Sequence, residues 1–141
     1  MFESNLESKI RKVRSSIVAI GFNPSPNQIT IVGSGFCTSD DGKLMTAAQM
    51  KGEDMLAHDY FAHISPSGVT PWFWMAKTGY TYQVAGENLA FAPTVDIAMS
   101  GLMNSPGHKA NILKTDFTKL GIGCMDAGPR GKMFSQEFKG D

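Results

Sequence analysis

Residues 106–138, PGHKANILKTDFTKLGIGCMDAGPRGKMFSQEF, change hydrophobic period partway along, and that change decides the fold. Pro106 opens a helical turn that carries His108, Ile112 and Leu113. Proline suits a first helical position, where an N–H would have no intrahelical partner. Residues 120–124 and 133–138 then read as strands, and Asp126-Ala127-Gly128-Pro129-Arg130-Gly131 between them is turn chemistry. The pair is predicted to close as an antiparallel hairpin. Helices set against a small antiparallel sheet, with no βαβ repeat, predict an α+β sandwich.

Working upstream, a helix is predicted over 94–104 through Ile97, Ala98 and Leu102. Residues 80–82 and 89–91 read as extended. Thr70-Pro71 supplies an N-cap and a first-turn proline for a helix that carries Trp72, Phe73, Trp74 and Met75 and stops at Gly79. Neighbours on a helix diverge by roughly 100°, so those four cannot share one face. At least one aromatic must look away from the core, towards another layer, a lipid or a second chain. Ser65-Pro66-Ser67-Gly68 is a turn. Leu44, Ala47, Ala48, Met55 and Leu56 fit one helical face, with Lys51, Glu53 and Asp54 outside it. Gly52 weakens that helix by roughly 1 kcal/mol relative to Ala.

Before residue 44 the character differs. Residues 4–14 suit a short helix with Leu6, Ile10 and Val13 on one face. Ile17-Val18-Ala19-Ile20 and Gln28-Ile29-Thr30-Ile31-Val32 suit a hairpin connected through Asn23-Pro24-Ser25-Pro26-Asn27.

Composition bounds the function. The chain has 141 residues, 42% of them hydrophobic and 18% charged, which suits one domain over 1–141. Thirteen basic residues balance thirteen acidic ones. The one basic cluster, residues 9–14, is too small for a nucleic-acid footprint, so nucleic acid is not an expected partner. No apolar run reaches the roughly 20 residues that span a bilayer, and the first residues lack the pattern of a secretory leader. Cys37 and Cys124 fit two buried thiols or one disulfide, which leaves the compartment open.

Four segments then carry a family pattern: Ala47-Ala48-Gln49-Met50-Lys51-Gly52-Glu53-Asp54-Met55, Tyr60-Phe61-Ala62-His63-Ile64-Ser65-Pro66-Ser67-Gly68, Ala85-Gly86-Glu87-Asn88-Leu89-Ala90 and residues 103–113. Gly121-Ile122-Gly123 and Phe134-Ser135-Gln136-Glu137-Phe138 also fit. In this order they resemble the bacterial branch of the CAP superfamily (cysteine-rich secretory, antigen 5 and pathogenesis-related proteins), over residues 44–141. The resemblance implies a three-layer α-β-α sandwich with a cleft lined by His and Glu. His63 matches the family's first His and Glu87 its first Glu. The second Glu would fall near Ser105 and the second His near Met133, so both are missing, and His108 of the Ser-Pro-Gly-His motif is the implied replacement. Relatives are often secreted.

Residues 1–43 depart from that pattern, with a β-hairpin expected in place of the family's first helix. Residues 12–48 resemble the opening strands of a trypsin-like serine protease of the high-temperature-requirement type. A chimera and a divergent N-terminus account for this equally well. The protease's catalytic His would stand at Gln49, which cannot take a proton, and no nucleophile segment follows.

Two imidazoles and a carboxylate are the ligand set of a catalytic-type zinc site, so His63, Glu87 and His108 are the candidate metal ligands, with Asn88 and Ser105 completing the cleft. Without metal, a His–Glu pair can act as a general base. The plainer alternative is that Glu87 and His108 satisfy loop backbone, with Asn88 doing so in the turn after Glu87. His58 has no matching role. The expected function is a CAP-like scaffold without established turnover that binds a divalent metal such as zinc, or a small ligand, and requires no cofactor. A hydrolase and a lipid-binding module are the alternatives. If the N-terminal segment covers the domain imperfectly, a homodimer is expected.

Overall fold

The computed structural model describes residues 42–141. Helix α1 (Gly42–Ala57) buries Leu44, Ala47, Ala48, Lys51, Gly52 and Met55, an i, i+3, i+4 stripe on one side. Helix α2 (Pro71–Lys77) follows, then strand β1 (Val84–Ala92), helix α3 (Val95–Asn104) and helix α4 (Pro106–Leu113). Strand β2 (Lys119–Asp126), a 3-10 turn (Gly128–Arg130) and strand β3 (Lys132–Gly140) complete the described chain.

The three strands are antiparallel in the order β1-β3-β2. The predicted hairpin is β2–β3, closed where Ala127 N–H donates to the Gly131 carbonyl at 2.8 Å. Successive residues of a strand face opposite sides, and the sheet uses both. Met125, Met133 and Leu89 pack with Met55 of α1 on one side. Ile122 and Phe138 pack with Met99 and Leu102 of α3 and Ile112 of α4 on the other, with Cys124 and Phe134 against Ala98. Helix α2 joins the α1 layer through Trp74 and Met75, which pack with Leu44 and Ala47. The outcome is the expected α+β, α-β-α arrangement. Trp72 and Phe73 are the aromatics that look outward.

Several expectations change in detail. Residues 80–82 form no strand, and β1 begins only at Val84. Thr70 makes no side-chain cap, so the start of α2 rests on Pro71 alone. Helix α2 ends where Gly79 takes φ +76°, a left-handed conformation that suits glycine. Lys51, expected outside the helical face, is fully buried. Residues 42–48 of the protease-like stretch form the start of a helix rather than a strand, and Gln49 donates to Glu53 at 3.0 Å. The rest of that stretch, the hairpin expected over 17–32, the basic cluster and Cys37 lie outside the described residues.

Thr94 gives a direct check on local stability. Its hydroxyl accepts the Ile97 N–H at 3.3 Å, as an N-cap does for α3. Thr94→Ala is expected to cost about 1 kcal/mol, read as a lower urea midpoint at unchanged slope.

Candidate functional site

Glu87 sits in the middle of β1 on the sheet face that meets α1. The loop from α1 to α2 crosses above it and delivers His63. His63 Nδ1 lies 2.7 Å from Glu87 Oε1, with the carboxylate side chain 2% exposed and the imidazole 56% exposed. An ionised carboxylate only accepts, so Nδ1 is the donor here, and in the neutral form of the ring Nε2 is then an acceptor. The far end of the loop is held by the Ser-Pro-Ser-Gly turn read in the sequence. There Ser65 N–H donates to the Val69 carbonyl, Gly68 N–H donates to the Ser65 carbonyl, and Gly68 takes φ +85°.

Beneath this pair lie two residues that sequence reasoning missed. Lys51 reaches up from α1, and its Nζ donates to the Ala62 carbonyl at 2.8 Å, the His63 carbonyl at 2.9 Å and Tyr60 Oη at 3.3 Å. Tyr60 Oη in turn donates to Asp54 Oδ2. Burial lowers the Lys51 pKa, opposed by the charges of Glu87, Glu137 and Asp54. Glu137 is the antiparallel partner of Glu87 and is fully buried. Both Glu137 carboxyl oxygens and Oε2 of Glu87 are buried without a hydrogen-bond donor. Two carboxyls so placed cannot both ionise cheaply. Burial, and then the neighbouring Glu87 charge, holds the Glu137 carboxyl well above the usual carboxylate range. A protonated Glu137 becomes a donor to Glu87, which then accepts from His63 on one oxygen and from Glu137 on the other.

The remaining expected residues fall elsewhere. Asn88 lies in mid-strand rather than in a turn, and its side chain faces the opposite layer. It donates to the His108 carbonyl at 3.0 Å and to Gln136 Oε1 at 3.1 Å, and accepts from Asn111 at 2.9 Å. Thus His108 meets this network through its main chain. Ser105 is the junction of α3 and α4 and caps neither helix with its side chain. His58 is exposed and pairs with Asp54 at 3.0 Å.

Of the three expected zinc ligands, His63 and Glu87 meet through their side chains, and His108 enters through its main chain. Among the described residues, no group of three His, Cys, Asp or Glu side chains is placed to hold a metal. The Nδ1 of His63 is turned to Glu87, which leaves Nε2 as its open nitrogen, and Glu137 favours its protonated form, which is a poor ligand. Cys124 is buried, with its thiol pushed up to about 11 by that burial. No described helix is long and apolar enough to cross a membrane.

Comparison with known proteins agrees with this architecture. A family model described as CAP, the cysteine-rich secretory protein family, matches residues 39–138. The uncharacterized protein YkwD of Bacillus subtilis is 37% identical over 101 residues, covering 71% of this chain and 38% of YkwD. An extracellular protein of Bacillus anthracis containing an SCP domain is 31% identical, with a TM-score of 0.61 over 72% of this chain and 33% of its own. An outer surface protein of Borrelia burgdorferi shares the fold at 17% identity, with a TM-score of 0.67 over 99% of this chain and 95% of its own. The chain therefore spans well under half the length of both Bacillus proteins.

Proposed function

The chain belongs to the cysteine-rich secretory protein (CAP) family, and from that membership we propose that its cleft is a binding site for a small neutral hydroxylated ligand. The observation that carries the reading is the 2.7 Å contact between a half-exposed imidazole and a buried carboxylate. Such a partner fixes the ring and its tautomer, which leaves Nε2 to accept a hydroxyl proton from a ligand.

Neutrality follows from the charges directly below the ring. One proton shared by Glu87 and Glu137 leaves one negative charge, and the Lys51 ammonium offsets it, while the Asp54 carboxylate is engaged by Tyr60 and His58. Turnover is not part of the reading. The nearest hydroxyl in sequence, Ser65 Oγ, is already engaged with Ser67 Oγ and Val69 N–H, both at 2.9 Å, so it is not a free nucleophile for the base. Phe61, Ile64 and Phe91 are exposed around the loop, and Phe61 meets Phe91 edge-on at 6.0 Å. They offer an apolar face to the body of the ligand and favour a lipid as the second reading.

The test is an amide-resolved NMR titration with N-acetylglucosamine, whose hydroxyls suit Nε2 and whose ring face suits Phe61. Phosphatidylcholine vesicles and p-nitrophenyl acetate serve as parallel arms. Shifts confined to residues 61–64 and 87 and lost in His63→Ala are expected with the sugar, with no ester cleavage above the variant's rate. Identical responses of parent and His63→Ala to all three probes would remove the proposal. A response to vesicles alone moves the assignment to lipid, and ester cleavage that depends on His63 moves it to a hydrolase.

A further inference from the structure

We propose that Lys51 is the positioning residue of this site, fixing the imidazole of His63 by holding the main chain on which it is mounted. The inference rests on the His63 reading above and deepens it, because it says what aims the ring.

An ammonium has three donors and no acceptor. All three of Lys51's directions are taken by one short segment: Tyr60 Oη, the Ala62 carbonyl and the His63 carbonyl. The ammonium also stands 4.9 Å from the centre of the Tyr60 ring. The loop is thus tied to α1 at three points within four residues. Loop carbonyls that turn inward must find donors or remain unsatisfied. A neutral apolar residue on the α1 stripe would leave both of these without one.

Burying an ammonium is costly unless opposite charge lies near. Glu87 and Glu137 on the sheet, with Asp54 on α1, supply it. His63 donates to one member of that same pair. Lys51 therefore acts on the imidazole from both ends, through the carbonyl of His63's own residue and through the charge of its acceptor. Leu44 and Met55 on the same stripe fill space only. Lys51 fills space and in addition sets a direction, and the two roles separate experimentally.

The experiment reads the His63 ring nitrogens in the ligand-free full chain by long-range 15N–1H NMR at neutral pH. The parent is expected to show His63 as a single tautomer, protonated at Nδ1. In Lys51→Met, which keeps an unbranched side chain one atom shorter and removes the donors, the His63 signals are expected to move to the averaged positions of a mixed-tautomer ring, with those of His58 unchanged. A folded Lys51→Met whose His63 signals match the parent overturns the proposal, because a space-filling role predicts that result. Should this variant fail to fold, the parent protein itself decides the matter. A slowly exchanging Lys51 15Nζ–H signal with cross-relaxation to Ala62 and His63 supports the latch, and its absence at low temperature overturns it. Both readouts are made without ligand, so a failed sugar titration leaves this inference standing, and a failure here leaves the binding proposal to its own test.

Discussion

Gly121→Ala is expected to destabilise the protein by about 3 kcal/mol, at the upper end of what overpacking a core costs. A Cβ built on Gly121 falls 2.4 Å from the carbonyl carbon and oxygen of Leu44 and 2.6 Å from Met45 N. These are main-chain atoms of α1, and no rotamer change moves them aside. Two residues along the same face of β2, a Cβ on Gly123 would fall 2.6 Å from the Ala48 carbonyl oxygen. Ser135 Oγ donates to that same carbonyl at 2.6 Å. The two glycines thus form a groove in which the first turns of α1 lie directly on the sheet, the close approach that glycine within a strand often marks. Relief of the clash requires α1 to lift, and α1 carries Lys51. The loop above Glu87 should therefore loosen together with the core. Gly101→Ala is the matched control. It is exposed on the outer side of α3 with nothing within 4 Å of an added Cβ, and is expected to gain up to about 1 kcal/mol from helix propensity. Urea denaturation of both variants checks the pair, and equal effects would mean that the groove is not tight.

The elements of this fold were legible where punctuation and period agreed. Proline and glycine bracket α2 and mark the β2–β3 turn, proline opens α4, and alternating residues mark β2 and β3, so these came through within a few positions. Their arrangement was less legible. Sequence order suggests the β2–β3 hairpin, but nothing local says that β1 pairs with β3, and that pairing brings Glu137 opposite Glu87. Lys51 was misread for a different reason. It lies on the stripe defined by Leu44, Ala47, Ala48 and Met55, so the period alone would have placed it inside. Sorting by residue type moved it outside, because its compensating partners are carbonyls of a loop and carboxylates of a distant strand. His63 and Glu87 were found through the family resemblance. His108 and Asn88 were assigned to the same cleft, yet strand alternation sends the Asn88 side chain to the other face, where it meets the His108 main chain. A resemblance transfers which residues matter more readily than which atoms meet.

Glu137→Gln is expected to make the protein more stable than the parent at neutral and alkaline pH, with the difference growing as pH rises. The sign follows from the proton count. Burial and the Glu87 charge raise the Glu137 pKa in the folded state, so over the interval between its unfolded and folded values the folded protein binds more protons than the unfolded one. Stability then falls with rising pH, by about 1.4 kcal/mol per pH unit for one proton. The contribution is fully present below the ordinary glutamate range and is lost as pH passes through the raised folded value. Glutamine has the shape of the protonated acid, and its amide can donate to Glu87 Oε2 in place of the acid's proton. It cannot release a proton, so that slope disappears. Lys51 and Cys124 titrate in both proteins, and subtracting one stability curve from the other largely removes their contributions. Denaturant melts between pH 4 and pH 9 supply the two curves. Parallel curves would mean that Glu137 is ionised in the folded protein. In that case Lys51 would have two carboxylates to balance, the cleft floor would be negative, and the argument for a neutral ligand at His63 would have to give way to one for a cation.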